Sequence, residues 1–198
     1  FGGGGKGIAL LDSMDDLAET YMRLGREAEA AFGRGALYME RFVTSMRHIE
    51  VQVMRDSHGN CKLLGIRDCS VQRNNQKLLE ESGSTLLPRK LEQDALEYAR
   101  RIANHVNYVG AATVEFIFDL DKECLYFMEM NTRLQVEHPV TEAVTGVDII
   151  PLQLDIAAGA TIQDLSWQPE GYAIEARINA EHVSMDVNGF SCQPSPGL

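Results

Sequence analysis

The sequence is short of positive charge, of paired cysteines and of long apolar runs, and each shortage excludes a class of protein. Its 198 residues carry 18 Lys+Arg against 29 Asp+Glu, a formal net charge of −11, which disfavours a general binder of nucleic acid. No apolar run reaches the roughly 18 residues of a membrane-spanning helix. The four cysteines contain no CxxC pair, so zinc and redox motifs are weak and reduced thiols are expected.

What is present fits a globular protein with a substantial core. Hydrophobic residues make up 44% of the chain, a normal fraction that argues against disorder. The chain opens without methionine, on Phe1 and a glycine run, which is neither a signal nor a transit peptide. We therefore expect a piece of a longer protein, truncated at both ends.

The first 43 residues predict a helix between two short strands. Apolar residues predict strands over 8–11 and 37–43. Ser13 reads as an N-cap with Asp16 three residues on. The helix that follows is expected to reach about Phe32 and to end at Gly33 and Gly35.

Hairpins and long helices alternate in the remainder. Strict alternation from His48 predicts a strand with one buried and one polar face, and a turn at 57–60 returns the chain along 61–67. Helical spacing predicts helices over 88–106 and 147–158, and further strands are expected at 114–119, 124–131 and 173–179. This mixture predicts the α+β class, not a doubly wound parallel sheet.

The glycine run at 2–7 is a candidate phosphate-binding loop. Its bare backbone N–H groups and Lys6 could close over phosphates. It matches neither a Rossmann nor a Walker loop in its context. The alternative is a linker or a tag remnant.

Two glutamates and an asparagine form a candidate metal site. If the turn between the predicted strands is centred near Lys122, Glu115 and Glu129 face each other, with Asn131 two residues on. Facing carboxylates repel, and a hard divalent cation such as Mg²⁺ or Mn²⁺ would relieve the repulsion. The alternative is that one glutamate pairs with an Arg or Lys elsewhere.

The segment that follows carries a candidate anion site. If residues 131–139 are extended, Arg133, Gln135 and Glu137 share one face. A guanidinium could then hold a small planar anion with a general base beside it. The polar, basic stretch 67–77 also suits an anionic ligand. A solvated strand face and a solvated loop are the respective alternatives.

These motifs together resemble the ATP-grasp region of biotin carboxylase, the ATP-dependent part of biotin-dependent carboxylases. The resemblance rests on motifs that run in the expected order over nearly the whole chain: GGGGKG at 2–7, YMERF at 38–42, RHIEVQV at 47–53, RDCSVQRNNQK at 67–77, VEF at 114–116, EMNTRLQVEHPVTE at 129–142, TGVDII at 145–150 and EARINAE at 175–181. The departures are Ile66, Asn75, and the segments 82–85 and 182–184, which leave the acyl-CoA or urea subfamily open.

The resemblance implies an ATP-grasp fold, with an antiparallel or mixed sheet and flanking helices. It implies a partial lid over 1–42 and a catalytic core over 43–198. It also implies roles for individual residues: the flap over the phosphates (Gly3, Gly4, Gly5, Lys6, Gly7), the adenine and ribose contacts (Glu40, Val43, His48, Gln72), the metal ligands (Glu115, Glu129, Asn131), the bicarbonate site (Arg133, Gln135, Val136), the base (Glu137), the phosphate-side lysine (Lys77) and the arginine that stabilises the biotin enolate (Arg177).

The implied activity is ATP-dependent carboxylation of biotin, using bicarbonate through carboxyphosphate, by a fragment that we expect to be inactive alone. ATP, Mg²⁺ or Mn²⁺ and biotin are the implied cofactors and substrates. The implied partners are bicarbonate, a biotin carrier domain, a carboxyltransferase and, in the full-length enzyme, a second copy of the chain. A cytoplasmic or mitochondrial-matrix location follows, without nucleic acid or membrane. The alternatives are another ATP-grasp ligase of the carbamoyl-phosphate-synthase type and a nucleotide-binding fragment without catalysis.

Overall fold

The computed structural model describes residues 8–73, 75–186 and 189–194. Its main feature is a six-stranded sheet in the order β5-β4-β1-β2-β3-β6, in which every pairing is antiparallel. The strands are β1 (Met46–Arg55), β2 (Cys61–Arg73), β3 (Gln76–Ser82), β4 (Gly110–Asp119), β5 (Cys124–Asn131) and β6 (Ile174–Ala176); β7 (Glu181–Asp186) and β8 (Gly189–Pro194) pair separately. The helices are α1 (Leu17–Phe32), α2 (Arg89–His105), α3 (His138–Thr145) and α4 (Ile149–Ala157). The α+β prediction is confirmed.

One face of the sheet is apolar and packs against α2. The inward residues Ile49, Val51 and Val53 of β1 are fully buried there. From α2, three alanines at a spacing of four are equally buried: Ala95, Ala99 and Ala103. Because small side chains repeat on one side of this helix, its backbone can approach the strands closely.

The opposite face of the sheet is polar, and it is buried as well. His48, Glu50 and Gln52 alternate with the apolar residues of β1, yet they are only 7%, 0% and 1% exposed. Helix α3 contacts β2 and β3 on this side. Helix α4 contacts β4, and its Ile149 and Ile156 belong to a second apolar cluster. The prediction of one apolar and one polar face for β1 is confirmed, but the contrast between a buried face and a polar face is wrong, because both faces are buried.

The β1–β2 turn is tied to the segment that follows α4. Asp56, fully buried, accepts hydrogen bonds from the backbone N–H groups of His58 (3.0 Å), Asn60 (2.8 Å) and Ile162 (2.9 Å). The predicted hairpin at 57–60 is confirmed. A single carboxylate thus fixes both the turn and the chain that runs across it.

Helix α1 ends where the sequence predicted, but it begins at Leu17, three residues later than a helix capped by Ser13 would. The Ser13 side chain accepts a hydrogen bond from the Asp15 amide (3.1 Å) in a short 3₁₀ turn, and α1 then runs to Phe32. Gly33 ends it with φ 70°, a left-handed conformation that favours glycine. The strands predicted over 8–11 and 37–43 are wrong: neither segment has regular structure, because no described strand lies beside them to pair with.

Elsewhere the predicted elements shift or new ones occur. Strand β6 covers only Ile174–Ala176 of the predicted 173–179, and α4 begins at Ile149. Helix α3 and the β7–β8 pair were not predicted. None of the helices in the described ranges is both long and apolar enough to cross a membrane.

Candidate active site

The β4–β5 hairpin brings two glutamates face to face. Glu115 pairs with Glu129, as the symmetric turn predicted. The pairing depends on a bulge next to Glu115, which leaves Met128 of β5 without an opposite residue. The predicted Glu115–Glu129 pair is confirmed, whereas from Phe116, which pairs with Phe127, to the turn the register differs by one residue from the predicted one.

Asn131 lies against both carboxylates. Its Nδ2 donates to Glu115 Oε1 (3.0 Å) and to Glu129 Oε1 (3.1 Å). Two carboxylates and an amide are a donor set that suits a hard divalent cation, although Asn131 would have to turn its amide oxygen toward the ion. Glu129 is exposed and Glu115 is buried, so the set is open to solvent on one side only.

Glu115 also contacts cationic and polar groups deeper in the protein. His48 Nε2 lies 2.7 Å from Glu115 Oε2, and Lys77 Nζ donates to Glu115 Oε1 at 3.1 Å. Burial alone would raise the pKa of Glu115, but His48 and Lys77 outweigh it and hold the pKa at about 2. The alternative in which one glutamate pairs with a lysine therefore holds for Glu115, alongside its place in the donor set.

Lys77 is the centre of the site. Its Nζ donates to Glu50 Oε2 (2.6 Å) and Glu137 Oε1 (2.5 Å) besides Glu115. Burial favours the neutral amine, but the nearby carboxylates, Glu50 foremost, outweigh it and raise the pKa of Lys77 above its ordinary value. A charged ammonium thus holds three carboxylates together beneath α3.

Glu50 and Arg67 belong to the site although they were not among the predicted site residues. The guanidinium of Arg67, fully buried, donates to Glu50 Oε1 (2.6 Å), to Gln52 Oε1 (2.9 Å) and to Thr141 Oγ1 of α3 (2.7 Å). Burial opposes ionisation of Glu50, yet Arg67 and Lys77 hold its pKa below the ordinary value. In the sequence, only the period-two pattern, which places Glu50 on the polar face of β1 with His48, indicated that Glu50 could belong to the site.

Glu137 lies between two cations. It occupies the N-cap position of α3 and is 2% exposed. Its Oε1 contacts Lys77, and its Oε2 accepts from Arg177 Nη2 at 2.6 Å. Arg177 in turn donates from Nε to Glu80 Oε1 (2.6 Å) on β3. The buried cluster so formed has four carboxylates around three cations, an excess of one negative charge: Glu50, Glu80, Glu115 and Glu137 with Arg67, Lys77 and Arg177.

Three further predicted residues reach the cluster. Gln135 donates from Nε2 to Glu115 Oε1 (2.9 Å), while its buried Oε1 has no partner among the described residues. The Nδ1 atom of His48 lies 2.8 Å from Gln72 Nε2. Gln72 is thereby joined to Glu115 through the imidazole.

Arg133 does not share a face with Gln135 and Glu137. The chain turns after β5, the His138 amide bonds to the Gln135 carbonyl (3.3 Å), and α3 begins. The condition for the shared face, an extended 131–139 segment, is therefore not met. The Arg133 guanidinium is exposed and donates to the Leu134 carbonyl (3.3 Å).

The predicted nucleotide contacts before β1 are not joined to the cluster. Glu40 is exposed in the irregular segment after α1, and within the described ranges neither it nor Val43 forms a hydrogen bond with the cluster. The predicted flap residues Gly3, Gly4, Gly5, Lys6 and Gly7 lie outside the described residues. The roles of these seven residues stay predictions.

An antiparallel sheet with flanking helices, carrying this cluster on one buried face, is the architecture of an ATP-grasp domain. The family described as "Carbamoyl-phosphate synthase L chain, ATP binding domain" matches residues 1–165. The chain belongs to this family, the ATP-binding domains that also occur in biotin carboxylases and in the biotin carboxylase domains of other carboxylases.

Individual relatives are similar over nearly the whole chain. Biotin carboxylase 1 of Bacillus subtilis is 46% identical over 99% of the chain and 43% of its own length. The mitochondrial methylcrotonoyl-CoA carboxylase subunit alpha of Rattus norvegicus is 50% identical over 91% of the chain and 25% of its own length. The chain therefore spans less than half of these relatives.

Solved structures agree with the fold. The biotin carboxylase–β-γ-ATP complex of Campylobacter jejuni superposes with a TM-score of 0.86 at 46% identity, covering 91% of this chain and 40% of that one. The biotin carboxylase domain dimer of Hydrogenobacter thermophilus 2-oxoglutarate carboxylase, crystallised with MgADP, ADP and bicarbonate, gives 0.84 at 47% identity over the same shares.

Proposed function

We propose that this chain is the ATP- and bicarbonate-binding part of a biotin-dependent carboxylase, in which biotin on a carrier domain is carboxylated. The observation that carries the proposal is Glu137, a buried carboxylate clamped between Lys77 and Arg177. Its partner Lys77 also contacts Glu115, one of the three proposed metal ligands. A base, two cations and cation ligands are thus connected by direct contacts.

The nucleotide would approach along the side of the sheet where Glu129 is exposed. Glu115, Glu129 and Asn131 would hold Mg²⁺ or Mn²⁺, which when bound would neutralise phosphate charge. The excess negative charge of the cluster favours a cation there. Lys77 would provide a further positive charge to the transferred phosphoryl group. The lid over 1–42, with its glycine flap, Glu40 and Val43, would cover the nucleotide, and His48 and Gln72 would lie toward the ribose.

The proposed chemistry begins with bicarbonate. Glu137 accepts the bicarbonate proton, and a bicarbonate oxygen attacks the γ-phosphorus of ATP, which gives ADP and carboxyphosphate. Arg133, Gln135 and the Val136 backbone would hold the bicarbonate oxygens, so that its single O–H faces Glu137. For this contact the exposed Arg133 side chain must swing toward Gln135.

Biotin then takes up the carboxyl group. Carboxyphosphate breaks down to CO₂ and phosphate, and the phosphate removes the proton from biotin N1′. Arg177 stabilises the resulting enolate oxygen while N1′ bonds to CO₂. A carrier domain presents the biotin, and a carboxyltransferase uses the product. No Met-Lys-Met attachment motif occurs in this sequence, so the chain itself offers no such carrier site.

The test is bicarbonate-dependent ATP hydrolysis by the full-length protein, with and without free biotin. We expect biotin to stimulate the rate, and Glu137→Gln to lower the stimulated rate by roughly 100-fold or more, since general base catalysis contributes on the order of 10²–10⁴. Glu97→Gln on the exposed side of α2 removes the same charge and should change nothing. A wild-type rate that ignores biotin would overturn the proposal.

A second test addresses the metal set separately. Calorimetric titration with Mg·ATP should show weaker binding for Glu115→Gln and Glu129→Gln than for wild type, because each variant loses an anionic cation ligand. Equal affinities would remove these residues from the nucleotide site.

The description of the matched family includes carbamoyl-phosphate synthase. This favours one alternative function, that of an ATP-grasp enzyme which makes carboxyphosphate for an acceptor other than biotin. Such an enzyme would form carbamoyl phosphate from ATP, bicarbonate and ammonia. Detection of that product without any biotin stimulation would select this alternative.

A further inference from the structure

Glu80 is a buried carboxylate that the proposed chemistry does not use. It lies on β3, is fully buried, and its Oε1 accepts from Arg177 Nε at 2.6 Å. Its Oε2 has no partner among the described residues. A buried carboxylate with one empty oxygen is costly for the fold, which raises the question of what this position does.

The neighbour of Glu80 across the sheet adds to that cost. Glu175 of β6 is its register partner, and Glu175 Oε2 is also buried without a described partner. Like charges directly opposite each other on adjacent strands are destabilising. Of the contacts of Glu80 described here, only the ion pair with Arg177 compensates for these costs.

Arg177 has a side chain that needs orienting. It follows directly after β6, a strand of three residues at the edge of the sheet, where the Arg177 backbone N–H donates to the Leu78 carbonyl (2.9 Å). Beyond that anchor the long side chain is directed by two contacts only among the described residues, Nε to Glu80 and Nη2 to Glu137. Glu80 fixes the inner end of the guanidinium, and Nη2 is left to face Glu137.

We propose that Glu80 is a positioning residue. It holds the Arg177 guanidinium so that Nη2 faces Glu137 and the place where biotin would accept the carboxyl group. The proposal deepens the proposed function and rests on it for its catalytic consequence.

Loss of the Glu80 carboxylate should slow the step in which biotin is carboxylated. In the full-length protein, Glu80→Ala should lower kcat of biotin-stimulated ATP hydrolysis by roughly 100-fold, the size of effect that a misplacement of about 1 Å produces. KM for ATP should stay unchanged, since Glu80 contacts none of the proposed nucleotide ligands. Glu80→Gln keeps an oxygen for Arg177 Nε and should recover most of the rate.

A matched control lies next to it on the same strand. Glu81 forms an ion pair with Arg47 (3.3 Å), away from the cluster. Glu81→Gln removes one charge from β3 and should leave kcat and KM as in wild type. Equal losses for Glu81→Gln and Glu80→Ala would mean that both merely weaken the strand, and would overturn the proposal.

A double-mutant cycle separates positioning from a structural role. If Glu80 acts through Arg177, Glu80→Ala should add no further loss of kcat in an Arg177→Met background. Additive losses would contradict the proposal.

Crystal structures keep the inference independent of the reaction. In Glu80→Ala the Arg177 guanidinium should leave Glu137, and in Glu81→Gln it should stay. An unmoved Arg177 in Glu80→Ala would overturn the positioning role. If instead Arg177 moves but wild type shows no biotin stimulation, positioning stands and the proposed function fails.

Discussion

Replacement of Arg67 by methionine is the most direct test of how the polar face is held together. The substitution keeps an unbranched side chain of similar length but removes the guanidinium that donates to Glu50, Gln52 and Thr141. Breaking a buried ion pair by removal of one partner costs about 3–5 kcal/mol. Because Lys77 still contacts Glu50 Oε2 at 2.6 Å, the loss should lie near the lower end, about 3 kcal/mol.

Urea denaturation followed by far-UV circular dichroism at pH 7 measures this loss. Arg100→Met on α2 is the comparison. Arg100 is partly exposed and donates to the Cys61 carbonyl (2.8 Å), so its loss should cost no more than about 1 kcal/mol.

A double variant, Arg67→Met with Glu50→Gln, should recover part of the loss, because it no longer leaves a charged carboxylate beside an apolar side chain. A single Arg67→Met variant as stable as Arg100→Met would refute the reasoning, as would a double variant less stable than the single one.

Two further substitutions test the β1–β2 turn and an irregular position within β2, and a third in α1 serves as a comparison. Burial alone would raise the pKa of Asp56, but hydrogen bonds, foremost from the Asn60 side chain, outweigh it and hold the pKa below its ordinary value. The folded-state pKa is thus below the unfolded one of about 3.9, so the stabilisation is complete above that pH and is lost as pH falls below it. Asp56→Asn should be less stable than wild type at pH 7, with a gap that narrows toward pH 3 in urea titrations; a constant gap would contradict this. Gly65 has φ 93°, and an added Cβ would lie 3.9 Å from Trp167, so Gly65→Ala should lose about 1–2 kcal/mol of stability from backbone strain. Gly25→Ala, inside α1, should gain about 0.5–1 kcal/mol, and thermal unfolding that ranks these two variants in the reverse order would count against the strain argument.

The hairpin that carries Glu115 and Glu129 was predictable because its information is local. A short turn between two apolar strands sets the register, and the pairing follows from counting outward. The estimated turn centre was displaced from the actual one, and the bulge at Met128 made up the difference. The Glu115–Glu129 pair was therefore predicted correctly, but the bulge that produces it was not predicted.

The polar face of β1 was misjudged because burial of polar residues is not a local property. Alternation shows that His48, Glu50 and Gln52 share a face, but not that α3 lies over it. Helix α3 has only eight residues with Pro139 at its start, so its pattern is too short to be recognised as helical. Since α3 was missed, the chain before it was expected to be extended, and Arg133 was grouped with Gln135 and Glu137.

The contacts of Arg177 could not be predicted from the sequence either, because they also join residues that are far apart in the chain. The predicted strand over 173–179 contains Arg177, but nothing in the sequence shows that β6 pairs with β3, where Glu80 lies 97 residues before Arg177. The family resemblance pointed to Arg177, and no spacing in the sequence points to Glu80.

The charged residues of the buried cluster are also synthesised in a particular order. A ribosome makes Glu50 before Arg67 and Lys77, which follow 17 and 27 residues later, and it makes Glu80 and Glu137 before Arg177. A nascent chain that has emerged only as far as α4 therefore carries all four carboxylates of the cluster but only two of its three cations, Arg67 and Lys77. The third cation, Arg177, follows β6 directly, so the cluster reaches its final excess of one negative charge only after the last strand of the six-stranded sheet has been made.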